Sequence, residues 1–278
     1  MNSNFWQRTI TGAFFVVVLL GAVLWNKYSF AGLFFMVCVL GLREYAVLFK
    51  DRKYKPNLWG TVIGGSGIAL IWSINCLYLR HDFFEPYEKG LLLGFFIIPI
   101  IVEFISSRKP SANNVGLSLA GIVYINLGII CFVSIGLMPD RAYNAPLVLG
   151  FLIILWSSDT FAYLTGRAFG KTPLAPKISP KKTWEGSIGG AICTLGISYI
   201  LFKTIGQLNL LEWLGFALII IVFGTFGDLI ESRFKRILGV KDSGNILPGH
   251  GGILDRFDSL LFAAPFVLIF LTAISIFK

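Results

Sequence analysis

Apolar runs near twenty residues recur along this chain, and nothing else constrains its fold as strongly. A helix of that length crosses the roughly 30 Å of bilayer hydrocarbon. In that layer the backbone must satisfy its own hydrogen bonds, which helices do within one segment. Nine runs are legible, at about 10–26, 28–49, 59–79, 90–106, 115–137, 147–168, 186–203, 210–228 and 258–277. Only 14% of residues are charged and 55% are hydrophobic, too few charges to cover a soluble domain of this length. The expected fold is an all-α integral membrane protein of about nine transmembrane helices, one polytopic domain over 1–278. Arg8 before the first run resembles a signal peptide, but no small-residue cleavage site follows, so the run is read as a retained span.

The net charge of +9 first suggests a polyanion partner. Its distribution points elsewhere. With the N-terminus inside, the inner segments are 1–9, 50–58, 107–114, 167–185 and 229–257. They hold 17 of the 24 Lys and Arg residues. The outer segments, with Lys203 and Lys278, hold six, and Arg43 lies within the second span. This asymmetry predicts a cytoplasmic N-terminus and an outside C-terminus. Topology therefore explains the basic balance and no nucleic-acid partner is expected. Anionic lipids or substrates are a second use for the same charges. Cys38, Cys76, Cys131 and Cys193 all fall in spans without a CxxC pair and read as packing residues. Small-xxx-small spacings permit a homodimer.

Ionisable groups inside a bilayer are costly and mark function by default. Here they are Arg43, Glu44, Glu103, Asp159, Asp228 and Asp258. On this topology all six fall in or near the inner half, which predicts a polar cavity open to the cytoplasm. Arg43 and Glu44 read equally well as span-end charges. Asp159 and Asp228 do not, since "FLIILWSSDTFAYL" and "IIIVFGTFGDLIES" embed them in apolar sequence.

Two inner loops carry most of the polar chemistry. In "GRAFGKTPLAPKISPKKTWEG", residues 166–186, the first seven residues imitate a P-loop. The Walker pattern needs four residues between its glycines and this stretch has three, so a P-loop is rejected. What remains is a turn-rich segment in which Lys181 and Lys182 offer point charges to phosphate and Ser179 and Thr183 offer hydroxyls. The other loop is "DLIESRFKRILGVKDSGNILPGHGGILDRFD", residues 228–258. A helix continuing through 238 places Asp228, Glu231 and Ser232 on one face and lets Glu231 pair with Lys235. Gly251 and Gly252 are expected to let backbone N–H groups approach phosphate. Asp255 and Asp258 fall one turn apart at the start of the ninth helix. Carboxylates on two helix ends, joined by a basic glycine-rich loop, suit Mg²⁺ and a polyphosphate. His250 reads either as a donor to phosphate or as an ordering residue of the loop.

The spacing Ser232-x2-Lys235-Arg236-x4-Lys241-Asp242-x-Gly244-x2-Leu247-Pro248-x-His250-Gly251-Gly252-x2-Asp255-Arg256-x-Asp258 resembles the signature of the phosphatidate cytidylyltransferases, or CDP-diacylglycerol synthases. "SSDTFAYLTGRAFGK" and "SPKKTWEG" are also similar to segments of that family. The resemblance implies a bacterial cytoplasmic-membrane enzyme whose site faces the cytoplasm. It implies CTP and phosphatidic acid as substrates, CDP-diacylglycerol and pyrophosphate as products, and Mg²⁺ with a monovalent ion such as K⁺. Asp228 and Asp255 match the family's metal-associated acids. On this reading helices within about 1–140 support catalytic helices and loops within about 147–278. The catalytic candidates are Asp228, Asp255, Lys241, Asp242, His250, Arg256 and Asp258. The substrate-binding candidates are Lys181, Lys182, Ser179, Thr183, Ser232, Lys235, Arg236, Gly251, Gly252 and Asp159, with membrane lipid around the acyl chains.

Two rivals share some of these features. A CTP-dependent lipid kinase acting on a polyprenol would use the same metal and nucleotide. An ion or solute transporter would use the intramembrane acids, but it gives no reason for the glycine-rich basic loop and its acids should spread through the membrane depth.

Overall fold

The computed structural model describes residues 3–79, 86–137 and 143–276. Among these residues nine helices are long and apolar enough to cross a membrane. They are α1 (Ser3–Trp25), α2 (Lys27–Leu48), α3 (Leu58–Ile74), α4 (Pro86–Ser106), α5 (Ala112–Ile135), α6 (Ala145–Phe169), α7 (Trp184–Ile205), α8 (Leu210–Ile237) and α9 (Leu254–Ile276). A π-helical turn, Asn75–Leu79, prolongs α3. The spans follow the nine apolar runs, while Lys278 lies outside the described residues. The chain forms two compact units, residues 1–143 with 242–257, and residues 144–241 with 258–278.

In the first unit α1 and α2 are separated by one residue, Asn26. Its side chain accepts hydrogen bonds from the amides of Tyr28 and Ser29, and the Ser29 hydroxyl accepts from the Asn26 amide. This reciprocal cap ends one helix and starts the next without a loop. Phe30, Phe34 and Phe132 are buried with ring centroids 4.8–5.8 Å apart, and Phe257 joins them edge-on to Phe34. Lipid gives helices no hydrophobic reason to associate, so such ring contacts and close backbone packing must hold the bundle. On α3, a Cβ at Gly64 would lie 2.8 Å from the Phe95 carbonyl of α4.

In the second unit α6 and α7 meet along small residues. A Cβ at Gly186 would lie 2.7 Å from the Ala162 carbonyl, and one at Gly190 2.7 Å from the Ala162 amide. One small-xxx-small pair is therefore used within the chain. Between these helices β1 (Pro173–Ala175) and β2 (Ser179–Thr183) form an antiparallel hairpin. The turn-rich loop expected there is thus partly regular structure. The P-loop imitation is the end of α6: the Gly170 amide donates to the Gly166 carbonyl at 2.9 Å. Beyond the apolar runs, the helix carrying Asp228 continues to Ile237 and α9 begins at Leu254, in line with the expected helix through 238 and the expected place of Asp255 and Asp258 at the start of the ninth helix.

Candidate active site

In the second unit the hairpin sorts two adjacent lysines. Successive residues of a strand face opposite ways. Lys182 turns to α8 and forms an ion pair with the Oδ2 of Asp228, while Lys181 is exposed. About 30% of each partner's side chain is accessible. The pair is therefore not sealed within the protein. The Ser232 hydroxyl donates to the Oδ1 of Asp228 at 3.3 Å, one turn along the helix. Another turn carries Lys235, whose Nζ donates to the Oε2 of Glu231 at 2.8 Å, both residues buried. This is the pairing that the one-face spacing of α8 predicted.

The start of α9 completes this cluster. Gly227 lets the two helices close up, since a Cβ there would lie 2.7 Å from the Phe262 Cβ and 2.8 Å from the Asp258 carbonyl. Asp258 is 9% exposed and its Oδ1 accepts from the Ser259 amide at 2.7 Å. Its carboxyl experiences the negative charges of Glu231 and Asp228. Three acids and two lysines thus converge: Asp228, Glu231, Asp258, Lys182 and Lys235. Glu231, absent from the expected catalytic and binding sets, belongs at its centre.

Other candidates in this unit hold local structure or stand in the open. The Thr183 hydroxyl caps α7, accepting from the Gly186 amide at 3.2 Å. Glu185 ties the hairpin's entry to α7 by accepting from the amides of Lys171 and Thr172. Ser179 begins β2. Arg236 donates to the Val240 carbonyl at 3.3 Å, and Lys241 and Asp159 are exposed.

The glycine-rich loop of the first unit is organised differently. Asp255, in the first turn of α9, reaches back so that its Oδ2 accepts from the Ser243 amide at 2.9 Å and the Gly252 amide at 2.8 Å. The expectation that the Gly252 N–H serves phosphate is therefore corrected: the amide is already given to Asp255. Gly251 has φ +86°, a left-handed conformation natural to glycine, and a Cβ there would lie 2.6 Å from the Asp255 carboxylate. The space a Cβ would need at Gly252 is filled by Glu44 and Ser243. Both glycines make room for the protein's own carboxylates. His250 orders the loop too: its amide donates to the Leu247 carbonyl, and its carbonyl accepts from the Arg256 guanidinium at 3.0 Å. Its ring lies against Gly12 of α1. Asp242 is exposed beside this turn.

Glu44 departs from the expected open cavity, whereas Glu103 lines a pocket of about 450 Å³ together with Lys50, Lys55 and Asn114. Both are buried and both hold loops. Glu103 accepts from the Ser111 amide and the Asn114 side chain, and Glu44 accepts from the amides of Ile253 and Leu254. Glu44 is the residue sequence reasoning undervalued. A usable signal was present: no Lys or Arg lies three or four residues from it on its helix, so its charge needs partners elsewhere.

Among the described residues no group of three His, Cys, Asp or Glu side chains forms a ready metal cage. Mg²⁺ does not need one, because it commonly takes one or two carboxylates and fills its octahedron with phosphate oxygens and water. Asp228 fits that pattern, an accessible hard-oxygen donor that already faces a cation. Asp255, the other expected ligand, belongs to the first unit, where its Oδ2 serves two amides.

Nine membrane-length helices among the described residues, with acids at helix ends and a lysine-bearing hairpin, define a polytopic membrane protein equipped to handle anions. The chain belongs to the cytidylyltransferase family, whose model matches residues 6–274. It is 34% identical over 275 residues to the phosphatidate cytidylyltransferase of Bacillus subtilis, covering 97% of this chain and 98% of that one. It is 41% identical over 266 residues to the phosphatidate cytidylyltransferase of Staphylococcus haemolyticus, covering 95% and 98%. For that of Staphylococcus saprophyticus the figures are 40% over 272 residues, covering 96% and 99%.

Proposed function

We propose that this chain transfers the cytidylyl group of CTP to phosphatidic acid, giving CDP-diacylglycerol and pyrophosphate. The observation that carries the reading is the nearly end-to-end match to relatives bearing that activity in their names. The acid–lysine cluster at Asp228 gives the reading a chemical location.

A phosphate oxygen of phosphatidic acid forms a bond to the α-phosphorus of CTP, and the bond from that phosphorus to the bridging oxygen breaks, releasing pyrophosphate. Phosphatidic acid is largely ionised near neutral pH, so no strong general base is needed. Repulsion between two anions is the main barrier, and positioned charge is the remedy. Lys182 leaves Asp228 to meet phosphate oxygens, while Lys181, on the opposite face of the strand, adds a further cation to the hairpin. Asp228 in the second unit and Asp255 in the first are each, on this reading, carboxylates that would serve Mg²⁺, with K⁺ as a second ion. When bound, Mg²⁺ supplies Lewis-acid neutralisation of phosphate charge. Lys235, buried on Glu231, keeps the acids of α8 from expelling one another.

The positive-inside asymmetry supports a reading in which this chemistry faces the cytoplasm from a bacterial cytoplasmic membrane. The test uses the purified full chain in detergent with labelled CTP, phosphatidic acid and Mg²⁺. Label in the lipid phase together with pyrophosphate supports the reading. In a parallel reaction with a polyprenol in place of phosphatidic acid, release of CDP would instead identify a lipid kinase, and no nucleotide turnover in either reaction would refute both.

A further inference from the structure

Glu44 lies some 200 residues from the glycine-rich loop in sequence, yet its carboxylate organises that loop. It sits on α2, 4% exposed, inside an apolar span. Its Oε2 accepts from the Ile253 amide at 2.8 Å and its Oε1 from the Leu254 amide at 3.2 Å. These are donors at the start of α9, which have no partner within the helix. A carboxylate there also meets the positive end of the helix dipole. The Ser243 hydroxyl donates to the same Oε1. That hydroxyl accepts from the Asp255 amide at 3.3 Å, and the Ser243 amide donates to the Asp255 carboxylate. Gly244 and Gly252 keep the pocket clear, since a Cβ at either would collide with the Glu44 carboxylate.

We propose that Glu44 is a positioning residue for Asp255, fixing that carboxylate through Ser243 and the first turn of α9. The inference rests on the cytidylyltransferase reading, in which Asp255 holds the metal. Glu44 touches neither substrate nor metal. Its negative charge matters because each group facing it is a donor. A glutamine would turn an amide N–H₂ toward those donors and loosen the loop, while an aspartate would keep the charge and shorten the reach.

The test compares wild type, Glu44→Gln, Glu44→Asp and Ser243→Ala as full chains in detergent. Hydrogen exchange of 243–256 is followed without Mg²⁺ or nucleotide, and kcat and KM for CTP are measured with them. In Glu44→Gln, exchange at 252–255 rises at least about tenfold while 144–240 is unchanged. Its kcat falls on the order of a hundredfold, the scale set by a misplaced reacting group, with KM for CTP within about threefold. Glu44→Asp recovers part of both, and Ser243→Ala reproduces the exchange change at Asp255. Wild-type exchange in Glu44→Gln, or a rise spread evenly over both units, overturns the proposal. So does unchanged kcat in a variant whose loop has loosened. An inactive wild type would sink the functional reading instead, while the exchange measurements still decide whether Glu44 holds the loop.

Discussion

The carboxylates of the glycine-rich loop and those at the end of α8 satisfy the same need with different donors. Around 242–256, Glu44 and Asp255 are met by backbone amides and by the Ser243 hydroxyl. Around α8, Asp228 and Glu231 are met by the ammonium groups of Lys182 and Lys235. An amide is fixed by the chain and cannot leave without unfolding its turn. An ammonium rides on a flexible stem and can be exchanged for a metal ion or drawn to a phosphate. The first arrangement makes a rigid scaffold and the second a cluster whose partners can change. Accessibility divides the second further: the Lys182–Asp228 pair is open, and the Lys235–Glu231 pair is shut.

The largest effect is expected where charge is exchangeable and open. Asp228→Asn keeps size and the Ser232 hydrogen bond but removes the charge facing Lys182. Cytidylyl transfer should fall about a thousandfold, near 4 kcal/mol, the upper scale for losing one preorganised electrostatic contact. Thermal stability in detergent should change little. Wild-type turnover by this variant at ordinary Mg²⁺ would erase the contrast between scaffold and exchangeable cluster.

The closed pair should act on stability instead. Lys235→Met leaves Glu231 buried and uncompensated beside Asp258, which should destabilise the chain by about 3 kcal/mol. The double variant Lys235→Met, Glu231→Gln should recover much of that. A thermal-unfolding series in one detergent reads both. If the single variant unfolds like wild type, the pair is not closed in the sense used here.

The hairpin separates the next two variants. Lys182→Ala should slow transfer by about 2 kcal/mol, in the range for a hydrogen bond to a charged group. Lys181→Ala should lose less than about half of that, since the strand turns it away from Asp228. Equal losses would mean that alternation along β2 does not choose between the two lysines.

Much of this contrast is legible in the amino-acid sequence, and the parts that are not have physical causes. The spans are plain because lipid demands long apolar helices, a signal written locally. The Glu231–Lys235 pair is plain for the same reason, as its partners are one turn apart. The hairpin at 173–183 is hidden because its strands are short, each contains a proline, and they lack apolar alternation. The extension of α8 to Ile237 is hidden from hydropathy because polar pairs carry it beyond the apolar run. The sequence presents Gly251 and Gly252 as openings for a ligand, although it is the protein's own acids that fill those openings. At Gly251 that acid is Asp255, four residues on, but at Gly252 it is Glu44, and no local pattern announces a partner some 200 residues away.

The smallest expected effect tests whether the hairpin's hydroxyl belongs to scaffold or to chemistry. Thr183 sits one residue beyond Lys182, and its side chain accepts from the Gly186 amide as the cap of α7. Replacing a capping threonine by alanine commonly destabilises by about 1 kcal/mol. Thr183→Ser keeps the oxygen and should behave as wild type in both stability and turnover. Thr183→Ala should lower the unfolding temperature slightly, with KM for CTP and phosphatidic acid unchanged, because the hydroxyl is already engaged within the fold. A rise in either KM without a stability change would move Thr183 from the frame of the hairpin to its ligand-binding face. That result would blur the division drawn between fixed and exchangeable donors.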